Sequence, residues 1–402
     1  MDHVDAVIVG GGIAGASLGY ALASAGKGVA VLEASTEFED RVRGEQMHPW
    51  GVKEARELGV EQVLLDAGAH VQRIWRQYVE GAPGPAEIPV SIMVPGVEGS
   101  LNLRHPDACQ ALLDAAAGAG AHVERGVGDV KAVAGTVSYV RDGCALEVRA
   151  PLLVGADGRA STVRRQAGIE LDRDEPVNYM AGLLLDDLAV PDDHDVLASE
   201  GDVFFVLFHQ GQGRARAYVC VGKSGQHRFA GRDATDRFLE ATALETFPWG
   251  KDVAAGTPAG PCATYPGDDT WTAHPYTDGV VLIGDAAGYN DPIIGEGLSI
   301  AMRDARTVRD LVLDGARTAE DFAPYGEERV ERMRRLRLFA DVMSVTFAED
   351  ADNRPARRAW MGERMATMDP ELFPLVAGIM AGPETVPAEL IDDRILERVR
   401  IA

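Results

Sequence analysis

The stretch Ala6-Val-Ile-Val-Gly10-Gly-Gly12-Ile-Ala-Gly15 decides the fold. Asp5–Val9 is a short apolar run that ends in glycines and reads as a buried strand. Small and apolar residues from Ile13 to Ala25 suit a close-packed helix, and Gly26 follows as a C-terminal stop. Val29–Glu33 reads as a second strand, which completes a β-α-β unit. Inside it the glycines satisfy G-x-G-x-x-G. Gly10 permits the tight turn, Gly12 lets a pyrophosphate approach the backbone, and Gly15 lets helix and strand pack closely. The helix start, with Ile13 and Ala14, offers unpaired N–H groups and partial positive charge to phosphate. Glu33 ends the second strand 18 residues after Gly15, with Ala34 next. Its carboxylate is placed to accept ribose hydroxyls. The unit predicts a dinucleotide site without choosing between FAD and NAD. Gly15-Ala-Ser17-Leu-Gly19 imitates a nucleophile elbow, but it lies inside the first helix, so hydrolase chemistry at Ser17 is not expected.

Two further segments point to FAD. In Leu152-Leu-Val-Gly-Ala-Asp157-Gly158-Arg159, a buried strand carries an acid and a glycine to its carboxyl end, where open α/β sheets bind ligands. In Val280-Val-Leu-Ile-Gly284-Asp285, another strand ends in Gly-Asp. A turn containing Pro292, Gly295 and Gly297 then leads through Leu298 into a helix. Asp285 is placed for a ribityl hydroxyl. The Pro292–Gly297 turn brings bare backbone to a flat object, and the helix N-terminus favours negative charge there.

Outside these segments, length and charge bound the function. The 402 residues suffice for two or three joined domains. A net charge of −24 repels nucleic acid and anionic membrane surfaces, so the expected partner is a small molecule. Cys109, Cys144, Cys220 and Cys262 form no C-x-x-C and read as buried or inert thiols of a reducing compartment. No secretory signal or apolar run of about 18 residues is read, and a cytoplasmic protein without a membrane span is expected. Residues 44–66 look helical, 73–102 loop or irregular sheet, and Pro106–Gly120 helical. Val203–Phe208 and Arg214–Val221, joined by His209–Gly213, have a hairpin signature. His209 reads there as a solvated loop residue. Arg332-Met-Arg-Arg-Leu-Arg337 follows Glu327, Glu328 and Glu331 at i,i+4 spacing and reads as a solvated helix face.

The expected plan is α/β: a Rossmann-like FAD-binding domain (1–72, 103–176 and 266–330), an inserted antiparallel β-sheet substrate domain (73–102 and 177–265), and a C-terminal helical segment (331–402).

With its three motifs in this order, the chain resembles the class A flavin-dependent monooxygenases, the p-hydroxybenzoate hydroxylase-like fold, over roughly residues 4–330. The resemblance implies that Asp157 serves FAD and nicotinamide binding and that Asp285 contacts the ribityl chain. It also implies that Arg43 lies near the flavin or pyrophosphate, and that Arg104 meets the FAD phosphates. His48, in Glu45-Gln-Met-His48-Pro-Trp50, would approach the flavin ring, as would Pro292, and these two are the expected catalytic positions. The implied activity is hydroxylation or epoxidation of an aromatic or polycyclic small molecule. NAD(P)H would be a transient co-substrate and molecular oxygen the oxidant, acting through a flavin hydroperoxide. A single G-x-G-x-x-G agrees with a transient nicotinamide. The alternative is a reductase or dehydrogenase of the geranylgeranyl-reductase-like type, which inserts no oxygen. A non-enzymatic carrier on the same fold would have lost the cofactor motifs, which are intact here. Without W-x-W-x-I-P, halogenation is not expected. Phe204, Phe205, Phe208, Arg216 and Tyr218 are candidates for a substrate cleft.

Overall fold

A computed structural model describes residues 3–42, 44–82, 84–133 and 135–402. Ala6–Val9, helix Ile13–Ser24 and Val29–Glu33 form the expected β-α-β unit. The two strands belong to a six-stranded sheet. Its order is Tyr276–Thr277, Val280–Leu282, Leu152–Gly155, Ala6–Val9, Val29–Glu33, His122–Arg125. All neighbours run parallel except the Tyr276–Thr277 edge. The register sets Val9 beside Leu32 and Gly155, and Gly155 beside Leu282. Gly10, Glu33, Asp157 and Asp285 therefore leave the sheet at one edge, although they come from four strands far apart in sequence.

The second sheet has eight strands. Asn178–Asp186, Ala215–Gly222, Val203–His209, Asp195–Glu200 and Ile74–Val79 are successive neighbours in it. Val203–His209 and Ala215–Gly222 pair antiparallel as the expected hairpin, with His209 opposite Ala215. Both faces are covered. Phe205 and Leu207 join a core with Phe238 of helix Ala234–Thr242. Phe204, Val206 and Phe208 face the main core on the other side.

The structure departs from expectation in four places. The 44–66 region is not one helix: Gln46–Met47 is a strand, followed by helices Pro49–Leu58 and Glu61–Asp66. Pro49 belongs in a first helical turn, and Gly59 at φ +80° ends that helix in a left-handed cap. The three-stranded meander Gly128–Val133, Thr136–Arg141 and Cys144–Arg149 was unforeseen; it covers the far face of the parallel sheet. His209 is buried rather than solvated, at the paired end of its strand with the His194 ring packed beside it, and burial lowers its pKa to about 4. Arg332 is likewise not on a solvated face. It is buried and ion-paired to Asp304 at 2.7 Å, while its i,i+4 pair with Glu328 also forms. Of the cysteines, Cys109 and Cys220 are buried, and Cys144 is exposed.

Helices Ala323–Phe347, Arg354–Ala366 and Leu372–Ala381 fold back over the junction of the two sheets. No helix among the described residues is long and apolar enough to cross a membrane.

Candidate active site

A cavity of about 1310 Å³ starts at the carboxyl edge of the parallel sheet and runs beneath the eight-stranded sheet. An ordinary single-ligand pocket holds about 300–1,000 Å³, so this one has room for a cofactor and a second molecule. Its wall contains Gly10, Gly12, Ile13, Ala14, Glu33, Ala34, His48, Asp157, Gly158, Gly284, Asp285, Pro292, Gly295, Gly297 and Leu298. Gly15 lies behind it as a packing residue. Arg104 lies outside the wall, half-exposed and paired with Asp107 at 2.9 Å, whereas its neighbour His105 is in the wall. Arg43 lies outside the described residues.

The glycine turn presents bare backbone to the cavity. Gly10 sits at φ +103°, and a Cβ there would fall 2.3 Å from the Ala156 carbonyl. A Cβ on Gly15 would fall 1.9 Å from the Gly10 carbonyl, so both glycines are demanded by the protein itself. Gly12 differs, because a Cβ there would meet nothing within 4 Å. The space beside it belongs to the cavity. Helix Ile13–Ser24 begins at Gly12 with no side-chain cap and no acid in its first turn, which leaves its N–H groups for a ligand. Glu33 accepts Gly11 N–H at 2.6 Å and Ser35 N–H at 2.7 Å, so its carboxylate is fixed at the cavity wall.

Asp157 and Asp285 divide their tasks. Asp157 accepts from the Ser161 hydroxyl and from the N–H groups of Thr162 (2.6 Å) and Val163 (3.1 Å), thereby capping helix Thr162–Gln166. Asp285 is one-third exposed to the cavity and touches Arg159 at 3.2 Å. The Arg159 guanidinium in turn lies over the Tyr289 ring at 4.0 Å. Beneath the Gly284 turn, Asp304 accepts Gly284 N–H at 2.8 Å and Arg329 at 3.0 Å. Arg329 also donates to the carbonyls of Ala287 and Gly288. Burial alone would raise Asp304; Arg329 and Arg332 override it and hold the carboxyl below its usual range. This buried cluster braces the turn that carries Asp285.

Pro292–Ile294 forms one tight turn, fixed by the Asp291 carboxylate accepting Ile293 N–H at 2.9 Å. Gly295 follows at φ +69°, and helix Gly297–Leu313 starts with no side-chain cap and no acid in its first turn. A Cβ on Gly297 would meet nothing within 4 Å, a second bare backbone in the wall. His48 is buried beside this turn. Its Nε2 lies 3.1 Å from the Ile294 carbonyl and 4.0 Å from Glu296 Oε1. Burial lowers His48 to about 4 and raises the Glu296 carboxyl well above its ordinary value, against nearby Trp50 and Ser299 donors. His48 is therefore uncharged near neutrality. Among the described residues, no cluster able to hold a metal ion occurs.

Several wall residues carried no sequence signal. Glu45 is buried between Arg216 (3.2 Å) and the Tyr218 hydroxyl, and burial raises its carboxyl against the pull of Arg216. Gln46 donates to the buried Asp195 at 3.0 Å, which also accepts Asn102 at 2.7 Å. Glu296 stood in view between two glycines, yet its burial beside His48 depends on a partner 248 positions away. Of the aromatic candidates, Phe204, Phe208 and Tyr218 reach the wall. Phe205 faces the opposite core, and Arg216 is spent on Asp40 and Glu45.

The profile of the FAD binding domain family matches residues 3–340. The chain belongs to that family. Among curated proteins, squalene epoxidase 3 of Arabidopsis thaliana is 26% identical over 317 residues, covering 77% of this chain and 60% of the relative. The chain thus spans less than two thirds of that relative's length. The 6-methylpretetramide 4-monooxygenase of Streptomyces rimosus is 28% identical over 348 residues, 78% of this chain and 76% of that one. Among solved structures, PqsL of Pseudomonas aeruginosa, described as a probable FAD-dependent monooxygenase, superposes with a TM-score of 0.72 at 22% identity. That superposition covers 89% of this chain and all of PqsL. The halogenase CmlS superposes over the whole of this chain and 77% of its own, with a TM-score of 0.75 at 18% identity. These superpositions bear out the fold read from the three motifs. Gly12 and Gly297 leave the wall open where a Cβ would fill it, and both uncapped helix starts face the same space. The residues present therefore fit FAD.

Proposed function

We propose that the protein is an FAD-dependent monooxygenase that uses NAD(P)H and molecular oxygen to hydroxylate or epoxidise a small apolar molecule, an aromatic or polycyclic compound among the candidates. One observation carries this reading. A single cavity joins the dinucleotide cradle at Gly12 to an apolar chamber beneath Phe204, Val206 and Phe208, with His48 and Pro292 between them. The names of the squalene and 6-methylpretetramide relatives support oxygen insertion as the reaction class.

FAD, when bound, supplies the electron transfer and oxygen activation that side chains lack. In the proposal Gly12 and the Ile13–Ser24 helix start hold the pyrophosphate, Glu33 the ribose, and Asp285 the ribityl hydroxyls. The Gly297 helix start faces the ring end and favours negative charge there. Trp75, Phe208 and Leu197 exclude water from the chamber beyond. His48 keeps its proton on Nε2, because the Ile294 carbonyl can only accept. Nδ1 is left as an acceptor for a substrate hydroxyl.

The test is the absorption spectrum of the purified protein, then NADPH oxidation in an oxygen electrode with a panel of apolar compounds. Bound flavin with substrate-stimulated NADPH and oxygen consumption is the expected result. Turnover without oxygen uptake would shift the assignment to a reductase. Absence of flavin after FAD addition would overturn the reading.

A further inference from the structure

Beyond the flavin cradle, the cavity wall is supplied by the Ile74–Val79 strand, the turn Val90–Ile92, the inner face of the large sheet and helices Arg354–Ala366 and Leu372–Ala381. All of these two helices' residues lie past residue 340, outside the family match. Six of the chain's eleven methionines line the cavity: Met93, Met180, Met343, Met365, Met368 and Met380. Unbranched thioether side chains make an apolar wall that adapts to its occupant instead of moulding to one rigid ring.

The charged groups in this part of the wall are already engaged or face solvent. Buried Arg358 donates to the Phe347 carbonyl at 3.0 Å and lies 3.5 Å from Glu80. Glu87 pairs with Arg76 at 2.7 Å, and Glu363 is exposed. Among the described residues of this part of the wall, no buried cation is free of a partner; Arg41, elsewhere in the wall, is exposed. The mouth continues the apolar character. Ile92 and Met368 are 71% and 64% exposed, among the most exposed large apolar residues of the chain, and both line this cavity. Met368 also sits at φ +51°, a left-handed conformation that an unbranched L-residue adopts at a cost and that glycine adopts freely. It lies at the corner between the two helices, where the Asp369 carboxylate accepts the N–H groups of Glu371 and Leu372. A strained, exposed methionine at a cavity mouth points to a use for its side chain.

We infer that the substrate is an elongated, uncharged, flexible apolar molecule rather than a compact acid-bearing ring, and that it enters between Ile92 and Met368. This rests on the cavity serving as the substrate chamber of the proposed monooxygenase.

The test titrates FAD-loaded protein with n-alkanols of increasing chain length and with para-hydroxybenzoate, following flavin absorbance and the fluorescence of Trp75 in the wall. Affinity should rise roughly four-fold per added methylene, the transfer gain of one buried CH₂, until the chamber is filled. Para-hydroxybenzoate should leave both signals unchanged. Met368→Asp should weaken the long alkanols about ten-fold or more, the worth of one large apolar contact, with flavin content unaltered. Met368→Gly relieves the backbone strain. It should keep or raise the unfolding midpoint while also weakening the long alkanols, which separates contact from fold. Affinity independent of chain length, or tight para-hydroxybenzoate binding, overturns the inference. Oxygen uptake with compact phenols alone would sink it and leave the monooxygenase reading standing. Alkanol binding without any oxygen uptake by apolar compounds would do the reverse.

Discussion

The Nε2 of His48 donates to the carbonyl of Ile294 at 3.1 Å, and this contact fixes what the imidazole can do. A carbonyl has no proton to give, so Nε2 keeps the hydrogen. Nδ1, buried and without a hydrogen-bond partner, is the acceptor. Burial holds the ring near 4, so it stays neutral well below the ordinary histidine range.

The first expectation follows from that neutrality. The pH profile of kcat/KM should show no inflection from His48 near the ordinary value of about 6.5. His48→Gln retains a donor for the Ile294 carbonyl and should keep the fold and the flavin. If Nδ1 takes a substrate proton, activity should fall by about 10²-fold. An NMR titration that assigns His48 a midpoint near 6.5 would remove the basis for this role.

The glycine turn separates binding from folding. Gly12→Val places a side chain in open cavity at φ −71°, a backbone that any residue adopts. The apoprotein should therefore unfold at the wild-type urea midpoint, but FAD should no longer be retained. Gly15→Ala drives a methyl into the Gly10 carbonyl at 1.9 Å and should destabilise the protein itself by roughly 2–4 kcal/mol. A yellow Gly12→Val protein would defeat the pyrophosphate assignment.

Gly10 and Gly15 were legible in the sequence because a backbone-to-backbone approach admits one residue type. Asp285 and Glu33 were legible because strands of a parallel sheet deliver their last residues to a common edge. The remaining wall was not. Met365 and Met380 belong to helices whose pattern says that one face is covered, not what covers it, and Met368 lies in the corner between those helices. Arg332 has the spacing of a surface i,i+4 pair, which it makes with Glu328; its burial comes from Asp304, on another helix. His209 adjoins a glycine-rich turn that reads as solvent-exposed, and it is covered by a packed neighbour, His194, whose ring lies 6.4 Å away.

Asp285 offers a graded test of the cofactor end. Its carboxylate meets Arg159 at 3.2 Å and otherwise faces the cavity. Asp285→Ala should weaken FAD by about 1–3 kcal/mol, the cost of leaving ribityl hydroxyls unpaired. Asp285→Asn keeps one acceptor and should fall between. Flavin-fluorescence titration of the apoprotein measures both, and an unchanged dissociation constant for Asp285→Ala would take the residue out of the site.

The buried Asp195 gives the protein a pH dependence whose sign can be stated in advance. Burial raises its carboxyl to about 7, in spite of the Asn102 and Gln46 amides that donate to it. An aspartate in an unfolded chain titrates near about 3.9. The native state thus keeps a proton that the unfolded chain has released. The stability linked to Asp195 is present in full below about pH 4 and is lost as pH rises to about 7. Its slope is at most about 1.4 kcal/mol per pH unit. Asp291 and Asp341, also raised to about 7 by burial, add to this trend. His48 and His209, lowered to about 4, oppose it, since the unfolded chain protonates them first as pH falls. The difference between wild type and Asp195→Asn cancels those shared contributions. The isosteric amide has no proton to lose, so the variant should gain stability relative to wild type as pH rises from about 4 to 7, by urea unfolding at each pH. Because Asp195 holds Gln46 in the cavity wall, the same variant should shift the absorbance of bound flavin. A wild-type-minus-variant difference that stays constant across that window would mean that Asp195 is ionised in the folded protein.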